Sequence, residues 1–413
     1  MDRRRVVITG MGAVTPVGNT VEDSWQAIRQ GVCGIAPITA YDTTNQKVKL
    51  AAEVKNFDPS PYIEKRELRH LDRFSQLALA AALQAYGQSG LNMESEAADR
   101  CGVFFGSGIG GFQTLRTECL KGAEKGYDRV SPYFIPMVIG NMAAGHIAIR
   151  LGFKGTCTCP VTACASGAYA VGDAFHYIRD GYGEVAICGG AEAAVDPLAI
   201  GGFTSLRAVT TTEDPNRASI PFEAERSGFV LGEGSGALVL ESYDHAVARG
   251  ANILGEIVGY GASCDAYHIT APTPGGEGPA AAMTGALKDA GIAPEEVGYI
   301  NAHGTSTPMN DAGETKAVKL AFGDHAYHLA ISSTKSMTGH LLGAAGAIEA
   351  VFCAKVLSDG FLPATIHYQV SDPECDLDVV PNEGRAADIR YAMSNSLGFG
   401  GHNASIIFKK WEE

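Results

Sequence analysis

Positive charge and cysteine are both scarce in this sequence. Of 413 residues, 32 are Lys or Arg and 46 are Asp or Glu, so the formal net charge is −14. Because binding to phosphates requires a basic face, this balance argues against a nucleic acid as the main partner. Ten cysteines are too few for a disulfide framework and are typical of reduced cytosolic thiols. We therefore expect a cytoplasmic protein that does not bind nucleic acid.

Apolar runs suited to a membrane are also missing. The longest weakly charged run, residues 130–149, contains Pro132, Pro136 and His146, which suits a buried interface better than a membrane span. Residues 1–5 pass straight into a strand-like segment without an apolar signal core. The sequence therefore predicts a soluble protein without membrane insertion.

The usual patterns for nucleotide and metal binding are incomplete. The glycine-rich turns at residues 106–111 and 398–401 are not followed by Gly-Lys-Ser or Gly-Lys-Thr, and neither fits a dinucleotide-binding fingerprint. Cys157, Cys159 and Cys164 are close in sequence, but no Cys or His pair at zinc spacing completes them. We therefore expect no metal site there.

An uncharged stretch, residues 155–172, contains Cys164 at the point where an apolar run turns into an amphipathic helix. Apolar residues recur at helical spacing after it, and Gly181 follows the last turn. A cysteine at a helix N-terminus faces unpaired backbone N–H groups and the positive end of the helix dipole, which favours the thiolate. By itself the stretch fits a nucleophile and a small buried apolar residue equally well.

The second half of the sequence repeats the order of elements predicted for the first. The corresponding elements are strands 102–106 and 297–302, strands 184–190 and 391–397, and helices 166–181 and 345–360. We therefore expect two α/β halves, residues 1–250 and 251–413, the second carrying the histidines described below. The two helices are rich in Ala and Gly, which permits close packing between two sheets.

Three glycine-rich turns next to predicted strands or helices carry polar residues. One contains His303, another contains Lys335 and His340, and the third is residues 395–403, with its glycines at 398–401. A lone histidine in such a turn is more often structural than catalytic, but loops on a rigid scaffold are where sites are usually built. A cysteine with histidine partners suits acyl transfer. The third turn could present a backbone N–H to an oxyanion beside the N–H of Cys164.

Three motifs, Thr162–Gly167, Asn301–Thr307 and Lys335–His340, follow one another in this sequence. Together they resemble the β-ketoacyl-acyl carrier protein synthases of the thiolase superfamily. The opening segment, Thr9–Asn19, is most similar to the synthase II branch, which elongates chains in dissociated fatty-acid synthesis. The resemblance implies a thiolase-like, five-layered α-β-α-β-α sandwich built from two similar halves. It also implies a decarboxylating condensation of acyl-acyl carrier protein with malonyl-acyl carrier protein.

The resemblance assigns the chemistry to four residues. Cys164 would accept the acyl chain as a thioester, and the enolate formed from malonyl-acyl carrier protein by loss of CO2 would attack it. His303 and His340, as neutral imidazoles, would donate hydrogen bonds to the malonyl thioester oxygen. The N–H groups of Cys164 and Phe399 would hold the other oxyanion. No metal or organic cofactor is implied, because the substrate carries its own carboxylate as the electron source.

Other residues are matched to the family by position. Lys335 would support the histidines electrostatically, paired with Glu349, and the ring of Phe399 would gate the pocket. The residues implied in substrate binding are Thr305, Thr307, Ile109, Phe203 and Gly400. The residues implied in docking of the acidic acyl carrier protein are Lys65, Arg66, Arg69, Arg129 and Arg207. The family forms homodimers, for which residues 130–149 would supply the interface.

Related proteins differ from this chain at identifiable positions. A thiolase would carry a second catalytic cysteine where this chain has Gly398–Gly401, and a chain-initiating synthase would have asparagine in place of His340. A non-catalytic, chain-length-factor-like subunit would lack Cys164. A polyketide-type ketosynthase remains an alternative, because the sequence does not fix the acyl substrate.

Overall fold

A ten-stranded mixed sheet is the framework of the computed structural model, which describes residues 3–412. The strands are Val6–Val14 (β1), Ala36–Pro37 (β2), Leu50–Ala51 (β3), Cys101–Gly106 (β4), Cys157–Thr158 (β5), Val185–Ala193 (β6), Glu233–Ser242 (β7), Gly255–Cys264 (β8), Val297–Asn301 (β9), Ala330–Ser332 (β10), Phe361–Leu362 (β11), Arg385–Ala386 (β12), Tyr391–Gly398 (β13) and His402–Lys409 (β14). Outside this sheet, β2 pairs with β3 and β11 pairs with β12.

Helices cover both faces of the sheet and also fill its middle. The α-helices are Val21–Arg29 (α1), Arg73–Ser89 (α2), Phe112–Lys125 (α3), Phe134–Val138 (α4), Met142–Leu151 (α5), Ser166–Arg179 (α6), Pro197–Ser205 (α7), Pro215–Ala218 (α8), Tyr243–Ala248 (α9), Glu277–Ala290 (α10), Pro308–Phe322 (α11), Lys335–Thr338 (α12) and Ala345–Asp359 (α13). Two 3-10 turns, Ala163–Ala165 and Leu342–Ala344, lead directly into α6 and α13.

The sheet repeats one strand order from its centre outwards. The order is β1-β7-β6-β4-β5 in one direction and β8-β14-β13-β9-β10 in the other. In each half the two outermost pairings are parallel and the inner ones antiparallel. The antiparallel pairing of β1 with β8 joins the halves. The predicted correspondences between β4 and β9 and between β6 and β13 are therefore confirmed.

The layers follow from which strands each helix contacts. Helix α6 contacts β4 and β6 in one half and β8 and β14 in the other, and α13 contacts β6 and β7 as well as β13 and β14. These two helices therefore lie between the halves of the sheet. Helix α2 packs on β1, β6 and β7, and α10 packs on β8 and β14. The predicted five-layered α-β-α-β-α arrangement is confirmed.

The inner strands are buried on both faces. In β6, Ala186 and Cys188 belong to the core around the central helices, whereas Val185 and Ile187 belong to the core under α2. Because successive side chains point to opposite faces, a strand between two helical layers has to be apolar throughout. The central helices touch at glycine: a Cβ on Gly167 would lie 2.8 Å from the carbonyl oxygen of Gly343. The expected close packing of small residues is confirmed.

Two regions differ from the sequence-based prediction. The helical spacing of apolar residues over 68–86 predicts one long helix, but the helix begins only at Arg73. The chain is extended at Leu71, and the carboxylate of Asp72 accepts the N–H of Phe74 as a cap. Helices α3 to α5 were not predicted at all, and they cover most of residues 112–151.

The weakly charged segment at residues 130–149 is buried within this chain only at Ala143, Ala144 and Ile147. Ile135 and Ile139 are 60% and 40% exposed, and Tyr133 is also exposed. Within residues 3–412, no helix is both long enough and apolar enough to cross a membrane.

Candidate active site

Cys164 lies in the 3-10 turn that leads into α6, and it is 9% exposed. The residue before it, Ala163, has a φ of +50°, which bends the chain sharply at this point. The turn lies where the chain returns from β5 toward the centre of the molecule. Parallel strands β4, β5 and β6 end on one side of the sheet, which is where ligands of open α/β sheets usually bind.

His303 and His340 lie next to Cys164 although they come from different loops. His303 follows β9, and His340 follows α12. Their ring centroids are 5.3 Å apart with the ring planes nearly perpendicular at 85°. Both rings and Cys164 line one cavity of about 390 Å³. The structure thus brings the three residues together.

Both imidazoles are neutral at physiological pH. Burial lowers the pKa of His303 and of His340 well below the ordinary value, and the ammonium of Lys335 lowers both further. A neutral imidazole can donate one hydrogen bond without carrying charge, as the proposed role of these rings requires.

The sulfur of Cys164 is a thiol at rest. Burial raises its pKa to about 12, against the lowering effects of Lys335 and of the N–H groups of Phe399 and Cys164. The expectation that the helix start favours the thiolate is therefore wrong for this chain. The side chain belongs to an apolar cluster with Ile200 and Leu342, and the cost of desolvating a thiolate there outweighs the N–H dipoles.

The turn after β13 packs directly against the Cys164 turn. A Cβ on Gly398 would lie 2.5 Å from the carbonyl oxygen of Thr162, so only glycine fits at this position. This approach places the N–H of Phe399 toward the sulfur of Cys164, where it lowers the thiol pKa. The ring of Phe399 lies 6.5 Å from that of Phe203 across the cavity.

Lys335 and Glu349 form a buried ion pair beside the histidines. Nζ of Lys335 donates to Oε1 of Glu349, and both side chains are almost completely buried. Burial raises the pKa of Glu349, and Lys335 lowers it. The structure therefore holds one fixed positive charge behind the imidazoles, which disfavours their protonation.

Glu314, on α11, supports the His303 loop and was missed by the sequence analysis. Its carboxylate accepts the N–H groups of His303 and Gly304, each at 2.8 Å. Burial raises its pKa to about 7, and these hydrogen bonds lower it. The available signal was an acid flanked by Gly313 and Thr315 on a helix, because a buried carboxylate needs a specific partner.

Three of the five residues implied in substrate binding line the cavity. They are Thr305, Thr307 and Phe203. The two threonine hydroxyls lie 2.9 Å apart and face the same space as the histidines. Ile109, which is 36% exposed, and Gly400 do not belong to this wall.

A polar pair on the opposite wall was also missed. Asp265 accepts a hydrogen bond of 2.7 Å from Nδ2 of Asn403, and both residues line the cavity. Asp265 also accepts the N–H of Thr273 at 3.1 Å. The pair connects the segment after β8 with the start of β14, which the sequence pattern had no means of bringing together.

The five cationic residues implied in docking are all exposed, but they are not one cluster at a helix start. Lys65 and Arg66 precede the 3-10 turn that contains Arg69, and Arg66 pairs with Glu64 at 2.8 Å. Arg129 lies in another 3-10 turn, between α3 and α4. Of the five, Arg207 alone lines the cavity.

Comparison with protein families gives matches over most of the chain. Residues 3–246 match the family described as Beta-ketoacyl synthase, N-terminal domain. Residues 254–369 match the family described as Beta-ketoacyl synthase, C-terminal domain. The two matched ranges carry Cys164 and the histidine pair, respectively.

Similar proteins cover the whole chain. It is 51% identical over 413 residues to 3-oxoacyl-[acyl-carrier-protein] synthase 2 of Synechocystis sp., covering 100% of this chain and 99% of that protein. It is 53% identical over 409 residues to the Staphylococcus aureus protein of the same name, covering 99% of each. A solved complex of a type II PKS acyl-carrier protein with its ketosynthase bound to the hexaketide matches with a TM-score of 0.92 at 35% identity, covering 99% of this chain and 100% of that one.

Proposed function

Because the chain belongs to the β-ketoacyl synthase family, we propose that it works through an acyl thioester on Cys164. The enzyme is an acyltransferase of fatty-acid elongation, which condenses acyl-acyl carrier protein with malonyl-acyl carrier protein. The products are 3-oxoacyl-acyl carrier protein, CO2 and free carrier protein. The observation that carries the proposal is the shared cavity of Cys164, His303 and His340.

In the first half-reaction, the acyl group moves from the carrier to Cys164. Since the pKa of the thiol is about 12, it loses its proton as it attacks the incoming thioester. A neutral imidazole in the same cavity is chemically able to take that proton and return it to the departing carrier thiolate. The N–H groups of Cys164 and Phe399 stabilise the tetrahedral oxyanion. A new S–C bond at Cys164 replaces the one that breaks at the carrier.

In the second half-reaction, malonyl-acyl carrier protein loses CO2. The electron pair of the broken C–C bond becomes an enolate, whose oxygen accepts hydrogen bonds from His303 and His340. The enolate carbon attacks the acyl thioester, and Cys164 leaves as the thiolate and is reprotonated. The Lys335–Glu349 pair keeps the imidazoles neutral, so they act as donors without a permanent charge of their own.

Substrate contacts are proposed at the cavity wall. The hydroxyls of Thr305 and Thr307 are placed to hydrogen-bond the amide groups of the pantetheine arm, and the ring of Phe399 closes against Phe203 when no chain enters. Ile109 and Gly400 lie outside this wall. Ile109 is proposed to contact the bound acyl chain, and Gly400 is proposed to let the Phe399 turn move.

The partner is acyl carrier protein, and its docking face is proposed on the cations near the cavity. Arg207 at the cavity wall is the anchor of this face, with Lys65, Arg66, Arg69 and Arg129 further out. Acidic carriers are attracted by such a local basic patch even though the whole chain is negative, because distant charges are screened within about 8 Å at physiological salt.

A homodimer and a two-half division are also proposed. The exposed Ile135 and Ile139 lie just before α5, which contacts β5, and an edge strand such as β5 can pair with a second copy. Sedimentation equilibrium should give twice the chain mass, and a monomer at micromolar concentration would contradict this interface.

The halves 1–250 and 251–413 are supported by the repeated strand order and by the two matched families. Cytoplasmic localisation is part of the proposal, testable by cell fractionation.

The thioester is tested by trapping it. Incubation with acyl-acyl carrier protein alone should add one acyl mass to the enzyme, and peptide mapping should place it on Cys164. The C164A variant should remain unmodified while its circular dichroism is unchanged. Acylation at another residue, or condensation by C164A, would rule out the proposed intermediate.

A further inference from the structure

Glu192 is a completely buried carboxylate near the end of β6, and the mechanism above does not use it. Four donors satisfy its two oxygens. They are the hydroxyl of Ser107 at 2.8 Å and the backbone N–H groups of Gly108 at 2.7 Å, Gly343 at 3.0 Å and Ile109 at 3.3 Å. Both carboxylate oxygens therefore accept hydrogen bonds from two turns, Ser107–Ile109 and the turn that contains Gly343.

No cation compensates this charge among the residues the structure describes. Five other buried glutamates form ion pairs, such as Glu233 with Arg73, whereas Glu192, like Glu314, is held by hydrogen bonds alone. Burial raises its pKa to about 6, and the hydrogen bonds from Ser107 and the backbone lower it. A buried anion held only by N–H and O–H dipoles is costly, so its position demands an explanation.

Of the two turns that Glu192 joins, the one at Gly108 also packs against the nucleophile's backbone. A Cβ on Gly343 would lie 2.4 Å from the backbone nitrogen of Gly108, and a Cβ on Gly108 would lie 3.3 Å from the carbonyl oxygen of Ala163. Ala163 directly precedes Cys164, and Gly343 comes three residues after His340. The turn at Gly108 is thus wedged between the backbone of the nucleophile and that of the histidine loop.

We propose that Glu192 is a positioning residue for the condensation, because its carboxylate ties the Ser107–Ile109 turn to Gly343. It thereby fixes the Cys164 turn of one half against the His340 loop of the other. The inference rests on the proposed function of Cys164 and His340. Glu192 itself does not line the cavity and does not touch the substrate.

The informative variant is Glu192→Gln, which keeps the size and removes the charge. Whichever way the amide is turned, its NH2 group meets a backbone N–H of Gly108, Gly343 or Ile109, so at least one donor loses its acceptor. Since a misplacement of about 1 Å in a catalytic constellation can cost about 100-fold, we expect kcat to fall by about 10- to 100-fold. KM for both carrier substrates should change little, because the cavity wall is intact.

A second readout separates positioning from general destabilisation. The charge of Glu192 raises the pKa of Cys164, so its removal should shift the pH midpoint of iodoacetamide alkylation at Cys164 to lower pH. Glu192→Asp keeps the charge but is one methylene too short for both turns. The kcat of Glu192→Asp should fall, whereas its alkylation midpoint should not move to lower pH.

Glu241→Gln is the matched control. Glu241 is equally buried, but it lies on the neighbouring strand β7 opposite Val185, at the far end of β6 from Glu192. It pairs with Arg249 and His245. Its loss should lower the melting temperature and leave both kcat and the alkylation midpoint unchanged. If Glu192→Gln does not fold, Ser107→Ala removes one donor from the same carboxylate and should lower kcat several-fold.

The outcomes are distinct from those of the thioester test. A wild-type kcat in folded Glu192→Gln overturns the proposal. If that variant misfolds, a wild-type kcat in Ser107→Ala overturns it instead. An equal loss of kcat in Glu241→Gln at the same melting temperature would also overturn it. Failure to trap an acyl group on Cys164 in the unmodified enzyme would instead overturn the proposed function, whatever the Glu192 variants do.

Discussion

Two turns of the same shape lead into the central helices, and only one of them carries a reactive group. Ala163 and Leu342 begin them with φ values of +50° and +47°, and each turn is three residues long. The middle residue is Cys164 in the first and Gly343 in the second. The first presents its side chain to the cavity, whereas the second must have no side chain, because its backbone packs on Gly108.

The difference shows how a repeated scaffold divides one reaction. The turn of the first half supplies the proposed nucleophile, and the corresponding turn of the second half supplies packing and a donor to Glu192. The histidines proposed for decarboxylation, His303 and His340, lie in loops of the second half before that turn. The proposed acyl acceptor and the proposed decarboxylation pair thus come from different halves, and the experiments below compare the two.

The largest expected contrast is between substitutions at the middle residue of each turn. Cys164→Ala should abolish condensation and leave the fold intact, because the smaller side chain fits the same space. Gly343→Ala should destabilise the protein by about 1–3 kcal/mol, since its Cβ meets the backbone of Gly108. Urea unfolding and condensation assays measure both effects.

The control for that contrast is Gly87→Ala on α2, where a Cβ has nothing within 4 Å. This variant should be as stable as the unmodified protein or more so, because alanine is the better helix former. If Gly343→Ala were equally stable, the close approach of the two turns would not be the reason for glycine there.

A smaller effect is expected from the second half. His303→Ala or His340→Ala should slow malonyl decarboxylation by about 100- to 1,000-fold, because each removes a donor to the enolate oxygen. Acylation of Cys164 should suffer less. His325→Ala serves as the control, because the ring of His325 donates to the carbonyl of Val297 and does not line the cavity.

The pH dependence of the unmodified enzyme tests the protonation state of the same two histidines. Because burial and Lys335 keep the pKa of both imidazoles well below the ordinary value, protonation of these rings should not slow decarboxylation as pH falls from 8 to 6. The pKa values of Glu314 and Glu192 are about 7 and about 6, so a decline with a midpoint between 6 and 7 would mean that the rings titrate normally only if Glu314→Gln and Glu192→Gln both retain it. Equal losses of acylation and decarboxylation would break the division between the halves.

The smallest effect is expected at the surface of the first half. Reversing charge at Lys65 and Arg69 should raise KM for carrier-bound substrate about 5-fold at low salt, and less at high salt, since exposed ion pairs are weak and screened. Lys154→Glu, at another exposed position, should leave KM unchanged. An unchanged KM in the Lys65 and Arg69 variant would place docking elsewhere.

Much of the fold was readable because its signals are local. The strands β4, β6, β9 and β13 are short buried segments followed by turns that contain glycine. The segment from Cys164 into α6 has apolar residues at uninterrupted helical spacing. The start of α2 was misplaced because the cap at Asp72 depends on Thr114, which is 42 residues away. Helices α3 to α5 were missed because their exposed apolar residues lack the usual two-sided pattern.

The sequence by itself determined the family and the candidates for the nucleophile and the two histidines, because each lies in a short motif whose residues are neighbours along the chain. Only the tertiary structure decided the protonation of those groups and the residues that hold them. Burial made Cys164 a thiol and the imidazoles neutral. It also joined Glu192 to Gly343 across 151 positions. Desolvation and contacts between distant segments exist only after the chain has folded, so no local pattern records them.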